Sequence, residues 1–571
     1  MINDLVRKGR RFAGDPVLRR WVLGRALGRF PGPQAFVAHR PPYLEGPFPL
    51  VPEQPALGYG ESNAGAPQDP IELSLAGTNV TLSPGQAGDL FESRFDDIET
   101  ELAVHRFAWL PLLGRRADPA WVGALWNAWR ERFAAASDGW AWHPYTAAER
   151  CANLLDFARF HGLPAPAGET ASCLAGHGPA IARRLEYFGE HDTSNHLANN
   201  GRGLFRLGLA FGMARTAELG CRILIGEAER IFTPSGTLRE GSTHYHLLVT
   251  RFYADAWLAA RAKDHPAAPA LERVVRRAVA AIPRLVLPGG MPVIGDVSPD
   301  CPPEFLAALI PGCDAGAGWG GLLSEDDRTA FVTLRESCSP VAAGDFEADG
   351  WLRFDFGPWS ALSFMGADGW SPYPGHGHRD FGGLELHFED TPVLRDLGRG
   401  RYGETAEAIR PVAAAAHNTL TIDGHDPFPA NKPYYDEGFR RLVGGPPPTI
   451  ERGPDWVALA HQGFARLGGI GTHRRTWHFS NSGFRIVDRV EGSGRRRITR
   501  HLHTTLAVEP GPDGAVLGTG KKRFLVHAGC PLTVESATHW PAYGRGIAAT
   551  TLDATLKSTF PWESEFSVAL G

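Results

Sequence analysis

The stretch Trp-Leu-Arg-Phe-Asp-Phe at residues 351–356 alternates apolar and charged side chains. A period of two predicts a β-strand with one buried face. Upstream, from about Phe91 to Val341, apolar residues recur every three or four positions instead, which predicts amphipathic helices. The change of period near Gly344 therefore predicts a helical region followed by a region of strands.

The helical region carries recognisable helix starts. Asp118-Pro119 is a capping residue followed by a proline suited to the first helical position. Thr146 to Glu149 has the pattern of a capping box, which places Tyr145 just before a helix and Arg150 within its first turn. Many helices of this length, joined by Gly and Pro loops, predict stacked helical hairpins in a ring or solenoid.

Further alternating runs follow residue 356, and turns such as Glu491-Gly-Ser-Gly494 separate them. They occur at 384–388, 419–422, 484–490 and 523–526. Short alternating strands of this kind predict an antiparallel sandwich. The predicted fold class is a multidomain α+β protein with three parts: a basic helical arm and Pro/Gly-rich connector at 1–90, a helical domain at 91–343, and a sandwich at 344–571.

The composition excludes several classes of protein. The chain has 571 residues, 43% of them hydrophobic, with 58 Lys and Arg against 63 Asp and Glu for a net charge of −5. It is therefore not a disordered, collagen-like or coiled-coil chain, and nothing in the charge balance favours nucleic acid. The seven cysteines are scattered without a CxxC pair, which predicts neither a disulfide framework nor a thiolate zinc site.

The first 30 residues are strongly basic, with only Asp4 and Asp15 as acids. The basic residues are Arg7, Lys8, Arg10, Arg11, Arg19, Arg20, Arg25 and Arg29. No apolar stretch or cleavage site of a secretory signal follows, so we expect a cytoplasmic protein, with the periplasm as the alternative. A helical arm packed on its own domain is the favoured interpretation, and peripheral contact with an anionic membrane is the other. No stretch is apolar enough to span a bilayer, and the oligomeric state is left open.

Two polar clusters precede predicted helices. His191 to Asn200 contains Asn195 and His196 at a helix entrance, where side chains and free N–H groups can face an anion. The segment from Arg239 to His246 contains Tyr245, and positively charged neighbours could lower the pKa of its phenol. Taken alone, each cluster favours a hydrogen-bonded structural role over a catalytic one.

The third cluster contains the pattern His376-Gly-His378. Two imidazoles two residues apart on an extended chain point to one side, which is a common beginning of a metal site. With Asp396 and His417 near other strand ends, the ligand set suits zinc. A fourth cluster, with Trp142, offers aromatic and arginine side chains that could hold an acidic sugar or pack between helices.

In this order, the motifs resemble those of the heparinase II/III-like polysaccharide lyases, a bacterial group that includes heparin, heparan sulfate and oligoalginate lyases. The resemblance runs from about residue 100 to the C-terminus. Its most specific parts are HGHRD at 376–380, VLRDLGRGRYG at 393–403 and HNTLTIDG at 417–424. It implies an N-terminal (α/α) toroid joined to a C-terminal β-sandwich, and cleavage of a uronic-acid-containing polysaccharide by β-elimination.

The resemblance also implies roles for individual residues. Tyr245 corresponds to the general acid, and also to the base where proton and leaving group lie on one face. His196 corresponds to the base for opposite faces, while Asn195 and His376 neutralise the uronate carboxylate. The implied structural metal, expected to be zinc, has the ligands His378, Asp396 and His417, and no organic cofactor is implied. The predicted substrate-binding residues are Trp142, Tyr145, Arg150, Asn199, His246 and Tyr402.

The expected partner is thus an acidic polysaccharide or oligosaccharide. Some relatives differ from this chain at Asn199 and Gly375, so the particular uronic acid and any sulfate preference stay open. A second hypothesis is a non-catalytic protein of glycan binding or exopolysaccharide assembly on the same fold. A third is a metallo-hydrolase using HGHRD, although Phe381 stands where the HxHxDH motif of those enzymes has its last histidine.

Overall fold

The computed structural model describes residues 2–30, 37–62, 65–136, 138–371, 375–403, 405–519 and 522–571. The N-terminal arm consists of two helices, α1 (Ile2–Gly14) and α2 (Pro16–Ala26), and Asp15 caps the second. Trp21 of α2 is buried against the strand region, with its ring 4.6 Å from that of Tyr434. The arm therefore packs on its own protein, as favoured from the sequence.

The connector forms the short strand β1 (Glu61–Ser62) and the hairpin of β2 (Ile71–Leu75) and β3 (Thr78–Leu82). The helical domain follows with α3 (Ile98–Arg106), α4 (Trp109–Leu113), α5 (Pro119–Phe133), α6 (Pro144–His161), β4 (Leu163–Pro164), α7 (Ala167–Ala182), α8 (Asn195–Phe211), α9 (Ala214–Ile231), α10 (Thr243–Arg261), α11 (Ala268–Leu285), α12 (Glu325–Ser337) and α13 (Ala343–Ala348).

The helix starts partly confirm the sequence analysis. Asp118 caps α5 by accepting the amide hydrogen of Ala120, as predicted. The predicted capping box at Thr146 is wrong, because α6 already begins at Pro144 and the Thr146 hydroxyl is buried without a hydrogen-bond partner among the described residues. The proline at the first helical position starts the helix three residues earlier, with His143 instead of Thr146 as the capping residue. Tyr145 therefore lies inside the first turn.

Helices α8 and α9 pack together, as do α10 and α11, and α8 also contacts α6 and α10. Glycines allow the closest of these approaches. A Cβ atom at Gly208 would lie 2.3 Å from the amide nitrogen of Ala217, and one at Gly220 would lie 2.3 Å from that of Phe205. Small residues thus bring the backbones of α8 and α9 together, in the ring of hairpins expected of an (α/α) toroid.

The strands of the sandwich begin at Trp351, after the change of period predicted near Gly344, and the helix α13 (Ala343–Ala348) lies at the predicted boundary. They are β5 (Trp351–Phe356), β6 (Trp359–Phe364), β7 (Glu385–Phe388), β8 (Thr391–Leu394), β9 (Leu420–Ile422), β10 (Thr449–Arg452), β11 (Trp456–His461), β12 (Ile470–Ser480), β13 (Gly483–Gly492), β14 (Arg495–Thr504), β15 (Ala507–Gly511), β16 (Gly514–Thr519), β17 (Lys522–His527), β18 (Thr533–Ala542), β19 (Arg545–Thr559) and β20 (Trp562–Leu570). Two short helices, α14 (Ala406–Ile409) and α15 (Glu437–Gly444), interrupt them.

The strands form three antiparallel sheets that share a core. The largest has the order β10-β11-β12-β13-β20-β17-β16-β15, and two four-stranded sheets have the orders β18-β19-β14-β9 and β5-β6-β7-β8. Trp359, Leu386 and Trp477 are among the buried residues between them. The predicted α+β class, a helical toroid followed by a sandwich, is confirmed. Among the described residues, no helix has the length and apolar character needed to cross a membrane.

Candidate active site between the toroid and the sandwich

Two helix starts and one loop meet where the toroid contacts the sandwich. Asn195 is the first residue of α8, and Tyr245 lies in the first turn of α10, which Ser242 caps by accepting the Tyr245 amide hydrogen. The loop at 375–380 comes from the sandwich and brings His376 to both helices. Helix starts suit this position because their free N–H groups favour anions.

Tyr245 and His376 are in direct ring contact. Their ring centroids are 3.5 Å apart and the planes differ by 11°. The Tyr245 hydroxyl lies 2.9 Å from that of Tyr402, which in turn donates to the carbonyl oxygen of Val297 at 3.1 Å. Because Tyr402 has only one hydroxyl hydrogen, Tyr245 must be the donor within the pair. The predicted substrate residue Tyr402 therefore joins the site through Tyr245.

Burial raises the pKa of Tyr245 well above its usual value, and the hydrogen bond with Tyr402 only partly opposes it. The sequence analysis expected the opposite direction, from positive neighbours. The carboxylates of Asp296 and Asp300 add to the effect of burial because they disfavour a second negative charge nearby. The phenol is therefore held neutral, in the form that donates a proton.

The amide of Asn195 connects two charged or titratable groups. Its nitrogen donates to Glu240 Oε2 at 3.0 Å and lies 3.1 Å from His376 Nε2. Both Asn195 Oδ1 and Glu240 Oε1 are buried without a hydrogen-bond partner among the described residues. A buried polar atom without a partner is costly, so these two atoms mark a place where a ligand group can bind.

Asp296 fixes the two histidines of the HGH pattern. Its Oδ2 accepts from His376 Nδ1 at 3.0 Å and its Oδ1 from His378 Nε2 at 2.9 Å, while Arg399 Nη1 donates to both oxygens. Although burial acts in the opposite direction, these donors hold the pKa of Asp296 well below its usual range. The Asp296 amide also donates to the His376 carbonyl at 2.8 Å.

His196 lies beside this group, with part of its ring exposed. Its Nδ1 is 2.7 Å from Glu186 Oε1, and its ring lies 4.5 Å from that of Tyr145. The Tyr145 hydroxyl donates to Asp300 Oδ2 at 2.5 Å. Tyr145 is buried, so it supports the His196 ring rather than offering an exposed face to a sugar.

Four other predicted substrate-binding residues lie away from the site. Arg150 is fully buried, stacked 3.9 Å from the Trp129 ring, and it donates to two backbone carbonyls. Burial lowers its pKa to about 10. The Trp142 ring covers its other side at 5.5 Å, and its own N–H donates to the Phe133 carbonyl. These two residues are buried in the helical core.

Asn199 and His246 are also buried. Asn199 Oδ1 accepts from Arg202 at 3.2 Å. His246 Nδ1 accepts the Leu238 amide hydrogen and its Nε2 lies 3.1 Å from the Ala278 carbonyl, so both of its nitrogens are used inside the protein. Both side chains are thus buried and hydrogen-bonded within the helical domain.

His378, Asp396 and His417 lie together, as predicted. One ligand atom from each falls within 4.8 Å of the others. His378 Nε2 is engaged by Asp296 and His417 Nδ1 by Asp396 at 2.8 Å, whereas His378 Nδ1 and His417 Nε2 are buried without hydrogen-bond partners among the described residues. Two unsatisfied buried imidazole nitrogens beside a carboxylate fit a metal ion.

Sequence reasoning missed three acids: Glu186, Glu240 and Asp296. They lie in loops between helices, where no periodic pattern distinguishes a buried acid from an exposed one. The only sequence signal was proximity, since Glu240 precedes Tyr245 by five residues. Glu240 and Asp296 also line a cavity of about 420 Å³ beside the 375–380 loop, with Arg399 and Trp370 on its walls.

Comparison with known proteins agrees with this arrangement. Residues 340–561 match the family model described as Heparinase II/III-like, C-terminal. A heparan sulfate lyase HepC mutant from Pedobacter heparinus is 15% identical, with a TM-score of 0.55, covering 91% of this chain and 86% of its own. A heparinase III is 15% identical, with a TM-score of 0.63, covering 84% and 78%.

A further heparinase III, the BT4657 gene product, is 16% identical, with a TM-score of 0.55 over 83% of this chain and 79% of its own. No curated protein matches the sequence. At these identities the solved structures establish the fold, and the family model covers the sandwich that carries the HGH loop and the three metal-type ligands. Residues 340–561 therefore match the heparinase II/III-like C-terminal model, and the chain as a whole shares the toroid-and-sandwich fold of the heparinase structures.

Proposed function

We propose that the protein is a polysaccharide lyase that cleaves a uronic-acid-containing polysaccharide or oligosaccharide by β-elimination. The observation that carries this proposal is the convergence of Asn195, Tyr245 and His376 from separate parts of the chain. The rings of Tyr245 and His376 stack at 3.5 Å, and the Asn195 amide lies 3.1 Å from His376 Nε2. The structural relatives named as heparan sulfate lyases support the same class of substrate.

The substrate carboxylate must be neutralised before the C5 proton becomes acidic enough to remove. Asn195 and His376 serve this role in the proposal. Asp296 keeps a proton on His376 Nδ1, so a second proton on Nε2 makes the ring a cation that faces the uronate. The Asn195 amide then donates to the same carboxylate in place of one of its present partners.

The proton transfers follow from the two remaining groups. His196 Nε2 accepts the C5 proton, the C4–O bond breaks as the C4=C5 double bond forms, and Tyr245 donates its proton to the departing glycosidic oxygen. The raised pKa of Tyr245 keeps the phenol protonated, which is the form that a general acid requires. Tyr402, 2.9 Å away, can turn its hydroxyl hydrogen toward the phenolate that results. Elimination on one face, with Tyr245 also acting as base, needs the phenol ionised first.

We further propose that His378, Asp396 and His417 hold zinc. Bound there, the ion would supply structural cross-linking of the sandwich loops, not a nucleophile. His378 also bonds Asp296, so the same residues steady the loop that carries His376. To test this assignment, we would measure the metal content and the melting temperature of the purified protein and of a His417→Gln variant.

The decisive experiment measures ultraviolet absorbance while the protein is incubated with heparan sulfate, alginate and bacterial exopolysaccharides. A double bond conjugated to the uronate carboxylate absorbs in this region, and hydrolysis produces none. We expect absorbance to rise with at least one polymer, and Tyr245→Phe to lower kcat by at least about 100-fold. Tyr253→Phe is the matched control, because Tyr253 is a buried tyrosine of the same helix whose hydroxyl donates to the Leu224 carbonyl.

The alternatives give different results. Glycan binding that Tyr245→Phe leaves intact, with no unsaturated product from either protein, would identify a binding or assembly protein. A metallo-hydrolase would need two metal ions, whereas the described part of the chain contains one three-residue cluster of metal-type ligands. Equal loss of kcat in Tyr245→Phe and Tyr253→Phe would remove the argument for Tyr245 as the acid.

A further inference from the structure

Glu186 is a buried acid that the proposed reaction does not itself use. It lies in the segment between α7 and α8, ten residues before His196. Only 8% of its side chain is exposed. A carboxylate buried to this degree needs a specific set of donors, because desolvation disfavours its charge. The identity of those donors indicates what Glu186 does.

Each oxygen of Glu186 has a separate task. Oε1 lies 2.7 Å from His196 Nδ1 and 3.5 Å from His143 Nε2. Oε2 accepts from Asn200 Nδ2 at 3.0 Å, and the Asn200 side-chain oxygen accepts the Glu186 amide hydrogen at 3.3 Å. Asn200 therefore clamps the carboxylate from α8, one turn beyond His196, so that Oε1 stays directed at the imidazole.

We infer that Glu186 is a positioning residue that fixes the tautomer of His196 and presents its Nε2 as a proton acceptor. A carboxylate cannot donate, so the proton of the neutral ring must lie on Nδ1 and the lone pair on Nε2. The same contact stabilises the imidazolium that forms once Nε2 has taken a proton. This inference rests on the proposed function, since it assigns Glu186 a purpose through His196.

Other charged groups around His196 do not replace this contact. His143 and Arg106 face it as cations or potential cations and disfavour its protonation, whereas Glu240 favours it from the far side. Tyr145 packs on the ring but is neutral, its hydroxyl engaged by Asp300. Burial would lower the pKa of His196, yet Glu186 outweighs burial and holds that pKa above its usual value.

The test compares Glu186→Gln with the parent in two measurements. The first is an NMR titration of protein with labelled histidine side chains, in which the His196 signal is identified by its loss in His196→Gln. The second is the pH profile of kcat on whichever polymer is cleaved. Glutamine keeps the size but loses the charge, and its amide NH₂ can turn toward Nδ1 and force the wrong tautomer.

We expect Glu186→Gln to move the His196 midpoint to lower pH. The acid limb of kcat should move in the same direction, because a base acts when unprotonated. The plateau of kcat should fall by at least about tenfold while KM changes little, since a weaker and misoriented base accepts the proton less readily. Glu186→Asp, which keeps the charge, should recover part of the loss.

Asn200→Ser is the matched control, because it breaks a contact of the same buried carboxylate without removing its charge. A purely structural role predicts similar losses of melting temperature and kcat in Asn200→Ser and Glu186→Gln, with no movement of the His196 midpoint, and this result would overturn the inference. A lowered midpoint in a protein that eliminates no polymer would support the Glu186–His196 pairing and refute the proposed lyase activity.

Discussion

Asp296→Asn tests whether one carboxylate holds the 375–380 loop of the sandwich against the toroid. The asparagine side chain offers one oxygen where the aspartate offers two, so it cannot accept from both His376 and His378. Its NH₂ group would face one imidazole N–H, donor against donor. Arg399, whose side chain is 15% exposed, would lose the partner that neutralises it.

The magnitude follows from burial. The Asp296 side chain is 7% exposed, and removing one member of a buried ion pair costs about 3–5 kcal/mol, because the other charge stays desolvated. At about 1.4 kcal/mol per factor of ten, local opening of the loop should become about 100- to 5000-fold more frequent.

Amide hydrogen exchange measures this opening directly. The Asp296 amide donates to the His376 carbonyl, and the Arg379 amide donates to the Val412 carbonyl, so both report on the loop. Exchange at these positions should accelerate by the stated factor, whereas amides in the core of α8 should be unaffected.

Asp355→Asn provides the control. Asp355 also binds an arginine, Arg353 at 2.8 Å, but half of its side chain is exposed, so we expect a loss below about 1 kcal/mol. If Asp296→Asn left exchange at the loop within about threefold of the parent, the buried carboxylate would not be what joins the two domains, and the reasoning would be wrong.

Two further predictions concern stability. Burial lowers the pKa of His244 to about 3 and that of His246 to about 4, below the value near 6.5 of the unfolded chain. The contribution of each histidine to the free energy of unfolding is therefore complete above pH 6.5 and falls with pH, by about 1.4 kcal/mol per histidine at pH 5.5. Chemical unfolding at pH 7.5 and 5.5 measures the loss, and His246→Gln should reduce its size. Arg150→Ala should destabilise the toroid by about 3–5 kcal/mol through lost packing and unsatisfied carbonyls, yet leave the affinity of any folded protein for glycan unchanged; weakened binding with intact stability would restore Arg150 as a substrate residue.

The sequence predicted correctly those features that depend on a periodic pattern of apolar residues or on a short motif. The change from a helical to a strand period was predicted near Gly344, a few residues before the first sandwich strand at Trp351, and the Asn195, Tyr245 and His376 motifs meet in space. Arg150 shows where this reasoning fails. An arginine near tryptophans fits a sugar site and a helical core equally well, and only the complete burial of Arg150 in the structure distinguishes them.

The sequence did not reveal the three missed acids for a different reason. Glu186, Glu240 and Asp296 acquire their importance from partners that lie 10 to 136 residues away in the chain, at distances set by the packing of helices against the sandwich. No local pattern encodes such partners. Perturbed carboxylates of this kind become visible only when the fold supplies their neighbours.

Asp296 also explains how two histidines separated by one glycine come to have different roles. Each carboxylate oxygen takes one ring proton, from His376 Nδ1 and from His378 Nε2, so opposite nitrogens are left free. The free Nε2 of His376 meets Asn195 at the proposed uronate site, and the free Nδ1 of His378 is buried near His417. A single acid from the toroid thus directs one imidazole toward the proposed uronate site and the other toward the cluster proposed to hold zinc. The division depends on a two-oxygen acceptor, which is why the asparagine variant should disturb both sites together.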